Sequence, residues 1–283
     1  MVAREREGAE QVHRTHRVVL PQYAPQLLVQ SGIVPRGTLL GQGFLQHGPK
    51  QTPGRLGMTL RDHGFKLDIR RVDLAADQGG APIPDDLDNV HGVITLGGIQ
   101  NVGDPHPWMA KELEFLKAAH DAQLPLFGVC LGCQMIAKAL GGEVGKMDEP
   151  EAGFCPVDIT VPGQTNTILA GVPWRHHQFQ THRHGVTELP PGATLLATSE
   201  KCKVQAFTAG VRTYAFQFHM ELDRPGIDTF VNEQSGLFAD AHLDANAIAE
   251  QADKHYEMFA RVNNKLALNI ATFGFATTEL LRA

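Results

Sequence analysis

Apolar and polar residues alternate along the chain in two different ways before and after Gly142. Before it, short apolar runs are separated by segments with apolar residues at helical spacing, a pattern typical of βαβ units. The apolar runs predict strands at 38–45, 66–72, 90–96 and 126–129. The segments that follow them predict helices at 53–63, 108–122 and 131–140. We therefore expect a parallel sheet with helices on both faces.

Beyond Gly142, short alternating runs between turn residues indicate antiparallel strands. They predict strands at 156–161, 193–198, 204–207 and 211–218. From Asp244 onward a helical stripe predicts one long helix or two consecutive helices, and it consists of Ile248, Ala252, Phe259, Val262, Leu266, Ile270 and Phe273. The stripe fits core packing or a docking surface, with a homo-oligomer interface as the alternative. The expected fold is α/β, with a mainly parallel, doubly wound sheet and a short antiparallel extension.

Length and charge narrow the class of protein. The chain has 283 residues, 42% of them hydrophobic, and can bury a sizeable core. We expect an N-terminal extension at 1–37, one α/β domain at 38–222 and a helical C-terminal extension at 223–283 packed on that domain. The net charge of -6, without a long Lys/Arg run, makes nucleic acid and membranes unexpected partners. Because the sequence contains neither a long apolar stretch nor a signal-peptide core, a cytoplasmic protein is expected.

Cysteine and histidine spacing gives no metal signature. Four cysteines lie at positions 130, 133, 155 and 202, and a zinc site would need a second C-x-x-C pair. The histidines at 176, 177, 182 and 184 have no carboxylate or cysteine at ligand spacing, so we interpret them as loop residues. We expect no metal, no cofactor and no disulfide.

Cys130 lies where the strand at 126–129 meets the helix at 131–140. The flanking Gly128 and Gly132 suit a sharp strand-to-helix turn, because a side chain at either position would collide with neighbouring backbone. Such a turn places the thiol at a helix N-terminus, where free N–H groups and the helix dipole favour negative charge. Cys130 is thus a candidate nucleophile, and a small buried core residue is the alternative.

The partners that a thiol nucleophile needs lie at other strand ends. His219 and Glu221, two residues apart after the last predicted strand, can turn to the same side, as base and orienting group. A structural histidine is the alternative. Gly98, at the end of the strand at 90–96, and Leu131, after the nucleophile, can offer backbone N–H groups to an oxyanion. A tight βα turn is the alternative for the Gly97-Gly98 pair.

Three motifs carry a family resemblance. The segment Gly128-Val129-Cys130-Leu131-Gly132-Cys133-Gln134 resembles the nucleophile motif of class I glutamine amidotransferases. Leu96-Gly97-Gly98 is similar to the family's oxyanion strand, and Phe218-His219-Met220-Glu221 to its His-Pro-Glu signature. Matches at 107–108, 151–157, 189–193 and 199–207 resemble the stand-alone, GMP-synthase-like branch. The resemblance covers about 38–222 in order and implies a flavodoxin-like architecture.

The resemblance also implies a mechanism. Cys130 would attack the side-chain amide of glutamine and form a γ-glutamyl thioester, and His219, oriented by Glu221, would protonate ammonia and then activate water. Gly97, Gln134 and His182 would contact the substrate.

Three departures from the family pattern bear on specificity. Ile99 and Met220 replace prolines without removing a catalytic group. His182-Arg183-His184 stands where relatives have His-Gly-Asp, which leaves the amide substrate open.

Several functions fit this sequence. The first is a glutaminase that hands ammonia to a synthetase partner, because the sequence contains no Gly-x-x-x-x-Gly-Lys-Ser/Thr loop for ATP. A γ-glutamyl peptide or amide hydrolase would use the same triad. A catalytically silent binding or regulatory member is a third possibility. A stress-response cysteine protein with a related elbow is a fourth, which the His-x-Glu pair disfavours.

Overall fold

The computed structural model describes residues 41–275, so the expected extension at 1–37 and the last residues of the chain lie outside the described part. Within it, nine strands form one sheet: β1 (Gly41–Gln46), β2 (Lys66–Arg71), β3 (Val90–Thr95), β4 (Leu126–Val129), β5 (Glu143–Ile159), β6 (Arg175–Glu188), β7 (Thr194–Thr198), β8 (Ala206–Ala209) and β9 (Thr213–Phe216). Their order in the sheet is β2-β1-β3-β4-β9-β8-β7-β5-β6. The neighbouring strands β2, β1, β3, β4 and β9 are parallel to one another. The pairs β9–β8, β8–β7, β7–β5 and β5–β6 are antiparallel.

Helices cover both faces of this sheet. They are α1 (Gly54–Asp62), α2 (Met109–Asp121), α3 (Leu131–Ala139), α4 (Val161–Gln164), α5 (Arg224–Glu233), α6 (Ser235–Asp240) and α7 (Ala245–Asn269), which a π-helical turn at Ile270–Gly274 extends. One apolar core contains Leu56 of α1 and Leu266 of α7, and another contains Leu116 of α2 and Ile136 of α3. The predicted α/β architecture, a parallel sheet with helices on both faces and an antiparallel extension, is confirmed. The extension comprises β8, β7, β5 and β6 and forms an antiparallel half of the sheet.

The β5–β6 hairpin differs from the prediction. The interpretation of the histidines at 176, 177, 182 and 184 as loop residues is wrong, because all four lie in β6. Gln178 and Gln180 are fully buried in this strand, so polar side chains hold positions that apolar residues fill in an ordinary strand. β5 begins at Glu143, well before the predicted strand at 156–161. The antiparallel half is therefore larger than the apolar pattern indicates.

The C-terminal helices pack on this hairpin through aromatic side chains. Phe154 of β5 contacts Phe259 of α7 at a ring-centroid distance of 5.5 Å, and Phe179 of β6 contacts Phe238 of α6 at 6.2 Å. The predicted helical stripe is buried except for Phe273, which is 49% exposed. The division into a domain and a C-terminal extension stays a prediction. Among the described residues, none of the helices combines the length and apolar character needed to cross a bilayer.

Candidate active site

Cys130 forms the turn between β4 and α3 in a strained backbone conformation. Its φ of 52° and ψ of -107° lie in a region that non-glycine residues rarely adopt. A Cβ atom at Gly128 would lie 2.6 Å from the carbonyl oxygen of Gly132. One at Gly132 would lie 2.1 Å from the carbonyl oxygen of Thr95. The steric reason predicted for the two glycines is confirmed, and the residue between them is held at a cavity wall.

His219 and Glu221 form a buried pair beside Cys130. The Nδ1 atom of His219 lies 2.7 Å from Oε1 of Glu221. Its Nε2 atom lies 3.0 Å from the hydroxyl oxygen of Thr181 in β6, and the Cys130 thiol interacts with the same ring. The backbone N–H of His219 donates to the carbonyl oxygen of Phe179, which ties the segment after β9 to β6. The structure thus brings the three predicted catalytic residues together.

The charge state of His219 follows from these neighbours. Burial lowers the pKa of His219, but the charges of Glu221 and Cys130 and hydrogen bonds to both outweigh it and raise the pKa to about 10. The imidazolium stabilises a neighbouring thiolate and can deliver a proton to a leaving group. Phe230 of α5 packs edge-on against this ring at a centroid distance of 5.0 Å and limits its rotation.

Two backbone N–H groups near the thiol have no acceptor. Within residues 41–275, neither the N–H of Gly98 nor that of Leu131 makes a hydrogen bond. The two residues adjoin, because a Cβ atom on Gly98 would lie 2.5 Å from Cδ2 of Leu131. One on Gly97 would lie 2.9 Å from Cε1 of His219 and 3.5 Å from Cβ of Cys130. The glycine loop therefore lies against both Cys130 and His219, beside the two N–H groups that have no acceptor.

A cavity of about 460 Å³ lies beside Cys130. It is lined by the loop after β3 (Gly98, Ile99, Gln100, Asn101), the elbow (Cys130, Leu131, Gln134), β6 (Thr181, His182, Arg183, His184) and the α5–α6 segment (Glu233, Gln234, Gly236, Leu237). Arg183 joins two of these walls, because its guanidinium donates to the carbonyl oxygen of Gly236 at 3.1 Å and pairs with Asp240. The departure from the family pattern at Arg183 thus ties β6 to α6.

The predicted substrate contacts occupy different places. Gln134 lines the cavity, and its amide donates to the carbonyl oxygen of His184 at 2.8 Å. His182 lines the same cavity but is only 3% exposed. Gly97 packs against Cys130 and His219 instead of lining the cavity. Their roles toward a substrate stay predictions.

His182 belongs to a buried polar network that sequence spacing did not indicate. Its Nδ1 lies 3.0 Å from the carbonyl oxygen of His184, and its Nε2 lies 3.1 Å from Oε2 of Glu151. Glu151 also accepts hydrogen bonds from Ser199 and Gln205, each at 2.6 Å. Both ring nitrogens of His182 therefore contact oxygen atoms of the protein, and these contacts fix the orientation of the ring.

The same network contains a group of side chains that sequence spacing did not indicate. The fold brings together Glu151, His182 and Cys202, which place one possible metal-ligand atom each within 4.8 Å of one another. Each of these atoms already has a protein partner, and the Cys202 thiol donates to the carbonyl oxygen of Val204. Burial raises the pKa of Cys202 to about 12, which keeps it a thiol. The network is satisfied without an ion.

Two polar residues of the site were not predicted from the sequence. Thr181 contacts Nε2 of His219 from a strand that apolar periodicity did not predict. Glu151 is buried, with 3% of its surface exposed, although it lies in a run of charged residues that is typical of a solvated segment. A signal that could have found Thr181 is its position directly before His182, in the stretch aligned with the His-Gly-Asp pattern of relatives.

Comparisons with known proteins agree with this geometry. The sequence model of the glutamine amidotransferase class-I family matches residues 55–230. The chain is 33% identical to a glutamine-hydrolysing GMP synthase subunit of Thermoplasma volcanium over 165 residues, covering 58% of this chain and 75% of that protein. It is 27% identical to a glutamine amidotransferase-like protein of Salmonella typhimurium over 232 residues, covering 79% and 92%.

Solved structures support the same fold. The glutamine amido transferase of Methylobacillus flagellatus superposes with a TM-score of 0.72 at 23% identity, covering 83% of this chain and 94% of that one. A glutamine amidotransferase of Thermotoga maritima gives a TM-score of 0.71 at 22% identity, covering 83% and 99%. Both therefore share the architecture through nearly their whole length.

Proposed function

The chain belongs to the class I glutamine amidotransferase family, and from this premise we propose that it hydrolyses the side-chain amide of glutamine with Cys130, His219 and Glu221. The observation that carries the proposal is that His219 contacts Glu221 through Nδ1 and that the same ring interacts with the thiol of the strained elbow. This is the arrangement that a cysteine acyl-transfer enzyme requires.

In the first half of the reaction, the Cys130 thiolate forms a bond to the γ-carbonyl carbon of glutamine. The carbonyl oxygen takes the negative charge and accepts hydrogen bonds from the N–H groups of Gly98 and Leu131. When the carbon–nitrogen bond breaks, Nε2 of His219 gives its proton to the departing ammonia. The enzyme then holds a γ-glutamyl thioester and a neutral imidazole.

In the second half, the neutral His219 removes a proton from water, and the hydroxide oxygen adds to the thioester carbonyl. The carbon–sulfur bond breaks, glutamate leaves and the thiolate–imidazolium pair returns. Glu221 keeps the ring in the orientation that both proton transfers need. Thr181 provides a second partner for Nε2, at 3.0 Å, and limits the rotation of the ring between the two steps.

One observation favours a second candidate substrate. The cavity of about 460 Å³ falls within the roughly 300–1,000 Å³ of sites for larger small molecules. A γ-glutamyl peptide or amide, with its leaving group toward the α5–α6 wall, would fill this space better than free glutamine. The same triad would cleave it.

The fate of the ammonia is a separate part of the proposal. Several of the related proteins, that of Thermoplasma volcanium among them, are named as subunits of a glutamine-hydrolysing GMP synthase, and we infer that released ammonia passes to a synthetase partner. Such a partner would supply the ATP-binding loop that this sequence lacks.

Release of glutamate and ammonia from glutamine, compared with release from γ-glutamyl peptides, tests the proposed function. Wild-type protein should hydrolyse at least one of them, and Cys130→Ala should hydrolyse neither while keeping its fold. Cys155→Ala is the matched control, because this half-buried cysteine does not line the cavity and should keep full activity. Activity on peptides alone would favour the hydrolase, and an inactive wild type would favour a silent family member.

A further inference from the structure

A second buried histidine–glutamate pair lies behind the glycine loop. His47 follows β1, and its side chain is fully buried with that of Glu112 from α2. The Nε2 atom of His47 lies 3.0 Å from Oε2 of Glu112, and the Nδ1 atom lies 3.2 Å from the carbonyl oxygen of Gly97. Thr95 donates its hydroxyl proton to Glu112 at 2.7 Å. The catalytic chemistry described above uses none of these three side chains.

Both ring nitrogens of His47 face oxygen atoms that can only accept. Each must therefore carry a proton, and the ring is an imidazolium. Burial lowers the pKa of His47, but the charge of Glu112 and hydrogen bonds to Glu112, Gly97 and Leu96 outweigh it and raise the pKa. The donor that points at Gly97 is thus charged, and such hydrogen bonds are stronger than neutral ones.

The bond to Gly97 controls the direction of the next N–H group. The carbonyl of Gly97 and the N–H of Gly98 belong to one planar trans peptide, so they point in opposite directions. When His47 fixes the carbonyl, the N–H of Gly98 is fixed as well. That N–H has no acceptor within residues 41–275, and Gly98 lines the cavity with Cys130.

The same histidine contacts the loop at one further point, and its own ring is held by Trp108. Its backbone carbonyl accepts a hydrogen bond from the side-chain amide of Gln100 at 3.0 Å. Its ring stacks on Trp108 at a centroid distance of 4.9 Å, and this limits ring rotation. Glycines at 97 and 98 would otherwise let this peptide turn freely. The loop is therefore held by His47 from behind.

We propose that His47 is a positioning residue that, with Glu112, aims the Gly98 N–H at the oxyanion of the tetrahedral intermediate. The proposal rests on the proposed function, since it concerns the oxyanion of that reaction. In this role Glu112 acts through His47, and neither residue lines the cavity.

Two substitutions separate the two contacts of His47. In His47→Asn the side-chain amide nitrogen takes the place of Nδ1, so it keeps the bond to Gly97 and loses Glu112. In His47→Gln the amide nitrogen takes the place of Nε2, so it keeps Glu112 and loses Gly97. We expect His47→Gln to lower kcat about 10²-fold with little change in KM, because the misplaced donor acts on the transition state. Both variants remove the positive charge beside Glu112. We expect His47→Asn to lower kcat less than about tenfold but to be the less stable variant, because it also leaves the buried carboxylate of Glu112 without the hydrogen bond that His47→Gln keeps.

The matched control is His176→Gln. His176 is also buried with Nδ1 on a backbone carbonyl, that of Pro173 at 2.9 Å, but it lies outside the cavity. Its kcat should equal that of the wild type. Alkylation of Cys130 by iodoacetamide forms no oxyanion, so its rate should stay at the wild-type value in His47→Gln.

The outcomes separate this proposal from the proposed function. A wild type that hydrolyses no γ-glutamyl amide contradicts the proposed function. An active wild type whose kcat survives in His47→Gln contradicts only the positioning role. The positioning role is also contradicted if kcat follows stability, so that His47→Asn is the less active variant. It is contradicted as well if the rate of Cys130 alkylation in His47→Gln falls as much as kcat does. The proposal is supported if His47→Gln is the less active variant and His47→Asn is the less stable one.

Discussion

His219 and His47 lie on two sides of the glycine loop, and each is bound to a buried glutamate through a different ring nitrogen. Glu221 binds Nδ1 of His219, whereas Glu112 binds Nε2 of His47. In the first pair the other ring nitrogen contacts Thr181, and the ring interacts with the Cys130 thiol; in the second pair the other nitrogen contacts the carbonyl oxygen of Gly97. In our proposals the same two types of side chain therefore serve as a proton carrier in one region and as a scaffold in the other.

A third buried histidine shows what the glutamates contribute. His176 makes its hydrogen bond to the carbonyl oxygen of Pro173, and within residues 41–275 the one carboxylate that raises its pKa, that of Asp158, is outweighed by burial. Burial lowers its pKa to about 4, whereas the pKa values of His219 and His47 are raised. Burial acts on all three rings, so the buried glutamate decides the sign of the shift.

The strongest way to break this comparison is Glu221→Gln. A neutral amide can accept from Nδ1 but no longer stabilises the imidazolium or fixes one tautomer of His219. We expect kcat to fall by about 10⁴-fold with the fold retained in the circular dichroism spectrum. A loss below about tenfold would mean that the carboxylate on Nδ1 is not needed for proton transfer.

The His182 network should respond in the opposite way. In Glu151→Gln the amide nitrogen would face the hydrogen-bond donors of His182 or Gln205. We therefore expect the free energy of unfolding, measured with denaturant, to fall by about 3 kcal/mol. The kcat of the folded enzyme should stay within about tenfold of the wild type. A stable variant with a loss as large as that of Glu221→Gln would place this network in the chemistry.

The pH dependence of stability sharpens the contrast with His176. Its folded pKa of about 4 lies below the unfolded value of 6.5, so the unfolded chain binds more protons between these values and stability rises with pH there. Protonation of this residue should lower the free energy of unfolding by up to about 3 kcal/mol when the pH falls from 7 to 4. Denaturant unfolding of His176→Asn at both pH values should show a smaller loss than the wild type. An equal loss in the two proteins would contradict the shift.

The smallest expected effect concerns the elbow itself. Cys130→Gly and Cys130→Ala should both be inactive, but the glycine variant should be more stable by about 1 kcal/mol, because glycine adopts the positive φ of 52° without strain. Thermal unfolding of the two variants measures this difference. An alanine variant of equal or greater stability would show that the turn stores no strain.

The parallel half of the fold was predictable because local rules apply there. Apolar runs predicted β1 to β4, and the two glycines around Cys130 predicted the sharp turn between β4 and α3. The family resemblance, the mixed sheet and the helices on both of its faces are confirmed. Here each element carries its own signal in a few consecutive residues.

The antiparallel half and the His47 pair could not be predicted in the same way. β6 buries Gln178, Gln180 and His182, whose polar atoms pair with residues far along the chain, so apolar periodicity is lost. Glu112 shares the buried face of α2, and its partners His47, 65 residues earlier, and Thr95, 17 residues earlier, make that burial possible. Such pairs become visible only when the fold brings their members together.

The central claim is that Cys130 accepts the γ-glutamyl group. Rapid acid quenching of wild-type protein with glutamine, followed by mass spectrometry of the peptide that contains Cys130, tests it most directly. We predict a mass increase of one glutamyl group on that peptide, which hydroxylamine removes and which is absent in Cys130→Ala. Glutamine turnover with the label on another residue, or with no trapped thioester and full activity in Cys130→Ala, would contradict the account.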